Sequence, residues 1–157
     1  MNITLQPVTR DNWLDALRLT VTEDQSGFVP TVAVSLAKVH VKPDGDHVEY
    51  LPFAIYDEDV MIGFIMHAYE EHTAHSYWIN GFLIDAGYQG KGYGRTALLR
   101  MIAYIKDRFV QCREIRLTVH RNNAAAYKLY QSMGFRETGD VWGDELVLKL
   151  PSEHARA

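Results

Sequence analysis

The chain reads as an α/β protein: a mixed, twisted, mostly antiparallel sheet with a central parallel pair of strands and helices on both faces. Three observations lead to this class. Two pairs of strand-like runs, 50–56 with 60–69 and 135–141 with 145–150, are joined by short polar turns, which is the signature of antiparallel hairpins. An apolar run at 77–85, an amphipathic stretch at 96–109 and a further strand at 114–119 follow one another with no hairpin-length link. A strand, helix and strand in that order imply a crossover and a parallel pair. Finally, helical spacing recurs at both ends of the chain, so there are enough helices to cover a sheet.

Taken in order, residues 3–8 alternate and form the first strand, with Pro7 near its end or on an edge. Asp11 or Asn12 can cap a helix carrying Trp13, Leu14, Leu17 and Val21. The polar run 23–27 breaks that pattern, and Pro30 suits the first turn of a second helix carrying Val32, Leu36 and Val39. A turn-rich loop at 42–47 leads into the first hairpin, whose acidic turn is Asp57-Glu58-Asp59. Gly63 inside its second strand marks a bulge. Residues 70–76 are polar and form a loop.

In the stretch 96–109, Leu98, Met101, Ile102, Ile105 and Phe109 share one face, while Arg100, Lys106, Asp107 and Arg108 fall elsewhere. Asn122 and Asn123 offer an N-cap to a helix through Met133 that Gly134 stops. The closing hairpin turns at Trp142-Gly143-Asp144, and the tail 151–157 is expected to fray.

A chain of 157 residues is long enough for one domain with a real core, and a single domain over 1–157 is expected. With 47% apolar and 23% charged residues, the composition is that of a soluble globular protein. The formal net charge of −4 argues against a nucleic-acid partner held by general electrostatics and favours a cationic one. No apolar run reaches membrane-spanning length, and the first residues lack the pattern of a signal peptide. The lone Cys112 excludes an internal disulfide and fits a reducing compartment. A cytoplasmic location is expected.

The densest chemical signal lies between the apolar strand and the long helix, at Asp85-Ala-Gly-Tyr-Gln89-Gly-Lys-Gly-Tyr-Gly94-Arg95. Alternating glycines let a ligand approach the backbone, and a helix start offers unpaired N–H groups with a partial positive charge. Together they make an anion site suited to phosphate. Two common phosphate motifs fail here. A P-loop needs Ser or Thr after its lysine, and Lys91 is followed by Gly92. The dinucleotide fingerprint needs G-x-G-x-x-G, and the spacing here is G-x-G-x-G. From spacing alone, a glycine-rich turn without a ligand stays open.

A second stretch bears on that choice. Asn123-Ala-Ala-Ala126-Tyr-Lys-Leu129-Tyr130-Gln-Ser-Met-Gly134-Phe135 has the form N-x-x-A-x-x-L-Y-x-x-x-G-F, and Gln89-Gly-Lys-Gly92-Tyr-Gly94 has the form Q-x-x-G-x-G. This pair resembles the GCN5-related N-acetyltransferase superfamily. The likeness covers about 50–150 in element order and is sharpest from Phe82 to Phe135. Residues 78–94 also look similar to the bacterial spermine and spermidine acetyltransferases of that superfamily.

The resemblance implies acetyl-CoA as cosubstrate. Its pyrophosphate is expected on backbone N–H groups of Gln89, Gly90, Lys91, Gly92, Tyr93, Gly94 and Arg95, with the Lys91 and Arg95 cations near the phosphates. Its pantetheine arm is expected along Phe82, Leu83 and Ile84, at the splayed end of the central strand. Asn123 matches the asparagine that bonds this arm, although an ordinary helix N-cap explains it as well. Tyr130 matches the tyrosine that protonates the departing thiolate, although a packed core aromatic is the plainer reading. A phenol, with a pKa of about 10, stays protonated at neutral pH and can donate to a developing thiolate.

The acceptor is expected to be a primary amine, with a polyamine or another small cationic amine leading. Glu23, Glu70, Glu71 and Asn80 are candidate substrate residues, and solvated surface is the alternative for the carboxylates. The general base is not identified. A protein or peptide acetyltransferase and a non-catalytic acyl-CoA-binding module remain as alternatives. A homodimer is expected by family analogy only. No metal site is expected, because His72 and His75 lack companion ligands. Cys112 reads as a buried structural thiol rather than a nucleophile.

Overall fold

The computed structural model describes residues 1–152. Its elements run β1 (Ile3–Pro7), α1 (Trp13–Leu17), a 3-10 turn at Glu23–Gln25, α2 (Val32–Val41), β2 (Glu49–Asp57), β3 (Val60–Tyr69), β4 (Tyr77–Ile84), a second 3-10 turn at Ala86–Tyr88, α3 (Tyr93–Arg108), β5 (Glu114–His120), α4 (Ala124–Ser132), β6 (Arg136–Trp142) and β7 (Glu145–Pro151). The seven strands form one sheet in the order β1-β2-β3-β4-β5-β7-β6. Every neighbouring pair is antiparallel except β4 and β5. The closing hairpin therefore docks through β7 and leaves β6 on the edge.

The sheet buries both faces. On one, α3 supplies Leu98, Met101, Ile102 and Ile105 to a core with Phe53, Ile65, Tyr77, Ile115 and Leu117, and α4 adds Tyr130. On the other, Ala16 of α1 and Val32 of α2 pack against Tyr50, Phe64, Met66 and Leu83. β3 is therefore apolar along nearly its whole length, as a strand covered on both sides must be.

Several local expectations change. The inner face of α1 is Ala16, which is wholly buried, while Trp13, Leu14 and Leu17 are 44%, 54% and 38% exposed. One and a half turns of helix reach the sheet through a single small residue, so the stripe of large residues faces outward. Val21 lies beyond the helix. Asn12 does not cap α1 with its side chain; its Oδ1 instead accepts from the Thr9 N–H at 2.8 Å. Helix α2 begins one residue after Thr31, whose hydroxyl accepts from the Val34 N–H at 3.2 Å, and Pro30 precedes the cap.

The bulge near Gly63 is present, with Ile62 unpaired between the Ile55–Gly63 and Tyr56–Met61 partners. A Cβ on Gly63 would lie 2.6 Å from the Leu83 carbonyl oxygen, so glycine is needed for this close approach. At the other end of the chain, Pro151 closes β7, and the buried Ser152 donates its N–H to Arg113 O at 2.8 Å. The frayed tail expected at 151–157 therefore does not begin at these two residues, and 153–157 lie outside the described residues.

Candidate active site

The site begins where β4 and β5 part. Their parallel ladder holds one partner pair, Trp78 with Arg116, and beyond it the strands diverge. A bulge on β4 contributes to the splay. Between the partners Met66–Asn80 and Phe64–Leu83, Gly81 and Phe82 stand opposite Ile65 alone. An extra residue bends a strand and increases its twist. Gly81 has φ +61°, and a Cβ there would lie 2.6 Å from Ser35 Oγ. The bulge was not anticipated, although a glycine inside an apolar strand is its usual mark.

The bulge also sets which backbone groups face the gap. The Asp85 N–H donates to Ile62 O at 2.8 Å. In an antiparallel ladder that bond turns the N–H and C=O of Ile84 away from β3, toward β5. The Ile84 carbonyl is taken by Gln89 Nε2 at 2.9 Å, and its N–H faces the cleft.

The glycine loop is held from below by side chains. Asp85 accepts from the Thr20 N–H at 3.0 Å and the Gly87 N–H at 3.1 Å, tying the end of β4 to the segment after α1. Gln89 and Gln25 exchange side-chain amide bonds at 2.9 and 3.2 Å. Gly90 and Gly92 have φ of +77° and +85°, in the left-handed region that glycine enters without strain. Gly92 precedes α3 with no side-chain cap, so N–H groups of the first turn point into the groove unpaired. Tyr93, Gly94 and Arg95 already belong to that first turn.

The cations stand further out. Lys91 is exposed with its Nζ 5.8 Å from the centre of the Tyr88 ring, and Arg95 donates to Ser132 Oγ at 2.9 Å. The Tyr93 hydroxyl donates to Asp57 at 2.7 Å, and this bond holds Asp57 below the usual carboxylate range.

A cavity of about 280 Å³ runs from this loop along the splayed strand end. Its walls include Phe82, Leu83, Ile84, Gln89, Gly90, Gly92, Tyr93, Gly94, Asn123 and Tyr130. Most of the expected cofactor residues are thus brought to one groove, while the Lys91 and Arg95 side chains lie outside its walls. Apolar strand, bare glycine backbone and an uncapped helix start suit a long acyl carrier with a phosphate at one end. Asn123 caps α4 by accepting from the Ala126 N–H at 3.3 Å, and it also lines the groove. Tyr130 is 7% exposed, and burial raises its phenol pKa above the ordinary value.

Tyr130 also lines a smaller cavity of about 190 Å³ on the far side of the splay, with Phe28, Asn80, Gly81, Phe82, Thr118, Lys38 and Glu145. Asn80, Thr118, Lys38 and Glu145 in turn line a third cavity of about 410 Å³, whose walls add Asp44, Glu70, Trp78 and Trp142. The three cavities thus share walls in sequence, the first two at Phe28, Phe82 and Tyr130 and the last two at Lys38, Asn80, Thr118 and Glu145, and the outermost carries carboxylates and two indoles. The rings of Trp78 and Trp142 lie 5.1 Å apart at its wall. The Oδ1 atom of Asn80 is buried there with no hydrogen-bond partner.

Of the candidate substrate residues, Glu70 and Asn80 reach this chamber. Glu71 and Glu23 are exposed outside its walls. Gln25, Phe28, Trp142 and Glu145 were missed. They come from separate segments, and no local motif marks them. Among the described residues, no three His, Cys, Asp or Glu side chains gather to hold a metal. Cys112 is fully buried, its thiol pushed up to about 11 by burial. A thiol so placed is inert rather than nucleophilic. No helix among the described residues is long and apolar enough to cross a membrane.

The strand pair splays beside a glycine loop, and two cavities share a buried tyrosine. Residues 19–135 match the acetyltransferase (GNAT) family, and the chain belongs to it. It is 31% identical over 157 residues to the spermine/spermidine N(1)-acetyltransferase of Bacillus subtilis strain 168, covering 95% of this chain and 99% of that protein. Among solved structures, the spermidine N-acetyltransferase from Vibrio cholerae in complex with CoA and spermine superposes with a TM-score of 0.72 at 18% identity, covering 99% of both chains. The PaiA N-acetyltransferase from Thermoplasma acidophilum in complex with coenzyme A gives a TM-score of 0.67 at 16% identity, covering 97% of this chain and 100% of that one. The fold class expected from the sequence is the fold found, and the chain is an acetyltransferase.

Proposed function

We propose that this enzyme transfers the acetyl group of acetyl-CoA to a primary amine of a polyamine or similar small cationic amine, by direct attack, in the cytoplasm. The observation that carries the reading is that Tyr130 lines both the groove suited to an acyl carrier and a second cavity, which shares Lys38, Asn80, Thr118 and Glu145 with a chamber lined by carboxylates and indoles. The curated relative named for spermine and spermidine supports the acceptor class, and the CoA-bound structural neighbours support the cosubstrate. The pyrophosphate lies on the backbone of Gln89–Arg95, and the pantetheine arm runs along Phe82–Ile84 toward Asn123.

The amine nitrogen attacks the thioester carbonyl carbon, and the Ile84 N–H, turned into the cleft, stabilises the developing oxyanion. The departing sulfur takes the proton of Tyr130. Burial keeps that phenol protonated across the working pH range, so it arrives at each turnover as an acid. Among the candidate acceptor residues, Glu70 and Asn80 have positions that serve an ammonium, whereas Glu71 and Glu23 contribute only general negative charge. Family analogy makes a homodimer the expected assembly, and neither nucleic acid nor membrane is a partner.

Thiol release from acetyl-CoA, measured across polyamines, monoamines and peptides, tests this function. Turnover is expected with polyamines. Turnover with peptides alone makes it a protein acetyltransferase, and CoA binding without turnover makes it a binding module. The variant Tyr130→Phe should lower kcat by about 10²–10⁴-fold with CoA affinity unchanged. Full turnover by that variant at saturating substrates rules out the acid role.

A further inference from the structure

An acceptor ammonium must lose a proton before its nitrogen can attack, and the cavity of about 190 Å³ that Tyr130 lines holds the polar groups beside the proposed acid. Its polar walls are Lys38 from α2, Asn80 from β4, Thr118 from β5, Tyr130 from α4 and Glu145 from β7. An amide and an aliphatic hydroxyl are not bases at neutral pH. A lysine ammonium is a donor with no free lone pair. Tyr130 holds its proton, because burial raises its pKa. Glu145 is the one carboxylate on these walls.

Backbone geometry fixes where it stands. Glu145 is the first residue of β7, opposite His120 in the β5 ladder and opposite Trp142 across the closing turn. Other charged or titratable groups nearby are Lys38 on the shared walls, Asp44 and Glu70 in the outer chamber, and His120. The His120 Nδ1 accepts from the Asn122 N–H at 3.1 Å, and its ring lies 5.0 Å from that of Phe28.

We propose that Glu145 is a catalytic residue, the carboxylate that draws the acceptor ammonium to the thioester and takes its proton. The inference rests on the acetyltransferase function proposed above. The ammonium passes one proton to the Glu145 carboxylate, which later releases it to solvent. The free lone pair forms the C–N bond, and the C–S bond breaks. Tyr130 gives its proton to the sulfur, and its phenolate is restored by the second proton of the same nitrogen. The sum is one amide, one thiol and one released proton, with no oxidant or further reactant.

The test compares an ordinary alkylamine with a fluorinated ethylamine whose nitrogen is neutral at pH 7. For the alkylamine, Glu145→Gln should lower kcat/KM by about 10²–10⁴-fold at pH 7 with CoA affinity unchanged. With the neutral amine the loss should shrink to a few-fold, because no proton needs removal before attack. Glu145→Asp should keep part of the alkylamine rate, and it decides the matter if Glu145→Gln fails to bind CoA. Loss of the same size with both amines, or no loss, overturns the role. If the wild-type protein acetylates neither amine and no polyamine, the proposed function fails, and the same assay shows it.

Discussion

His67 sits on β3 with its ring wholly buried among Tyr69, Tyr77, Tyr104 and Phe109. Its Nδ1 bonds to Trp78 O at 3.1 Å, and its Nε2 has no partner. Burial drives its pKa from 6.5 down to about 4, the Trp78 carbonyl opposing this and Arg108 adding to it. The native state therefore prefers the neutral ring, and the unfolded chain takes up a proton first. Stability from this residue is complete above pH 6.5 and declines as pH falls toward 4, by about 3 kcal/mol in all. Denaturant midpoints measured from pH 7 to pH 4 should show that decline, and His67→Phe should flatten it. At the same scale, Tyr130 shows how a residue type can be named before its setting is known. The motif position gives the phenol, but its isolation between two cavities depends on β5, β7 and the loop after α1.

Among the elements, β4 has the most consequence for function. Its eight residues pair with β3 on one side except at the Gly81–Phe82 bulge, and separate from β5 on the other after Trp78. Gly81 is the hinge of that asymmetry. Gly81→Ala should cost about 1–2 kcal/mol from its φ of +61° alone, with the Ser35 hydroxyl adding to it. Urea denaturation measures the loss, and the variant should bind CoA more weakly than its residual stability explains, because the splay narrows when the bulge relaxes. Periodicity found this strand readily, since eight residues at 77–84 are apolar or small enough to be buried. It did not find the bulge, because a bulge depends on the partner strand's register. The opposite failure occurred in α1, where a correct helix was given the wrong face. A short helix has too few turns for its own pattern to choose a side, and the sheet chose Ala16.

At the scale of the molecule, a ligand that spans the groove bridges β4, α3 and α4 and should stabilise the native state as a whole. Saturation with CoA at a hundred times its Kd adds about 2.7 kcal/mol, which for a chain of this length is a rise in Tm of about 5–10 °C. A thermal scan with and without CoA measures it, and no shift argues against the groove as an acyl-carrier site. Order of elements, hairpins, crossover and glycine loop were all legible in the chain, because each follows from local periodicity or from spacing within about a dozen residues. Asn123 and Tyr130 were legible through a motif that keeps them on one helix face. The chamber beyond Tyr130 was not, apart from Glu70 and Asn80 on its walls. Glu145 and Trp142 come to it from the closing hairpin, and Glu145 meets Phe28, from the loop before α2, in the cavity beside Tyr130. No local rule couples them, because what unites them is the way β4 and β5 part. By itself the sequence determined the sheet class, the glycine loop leading into α3 and the identity of the buried phenol, since these depend on neighbours along the chain. Only the tertiary structure decided that Glu145 shares a cavity with that phenol, because long-range packing rather than propensity brings the start of β7 beside α4.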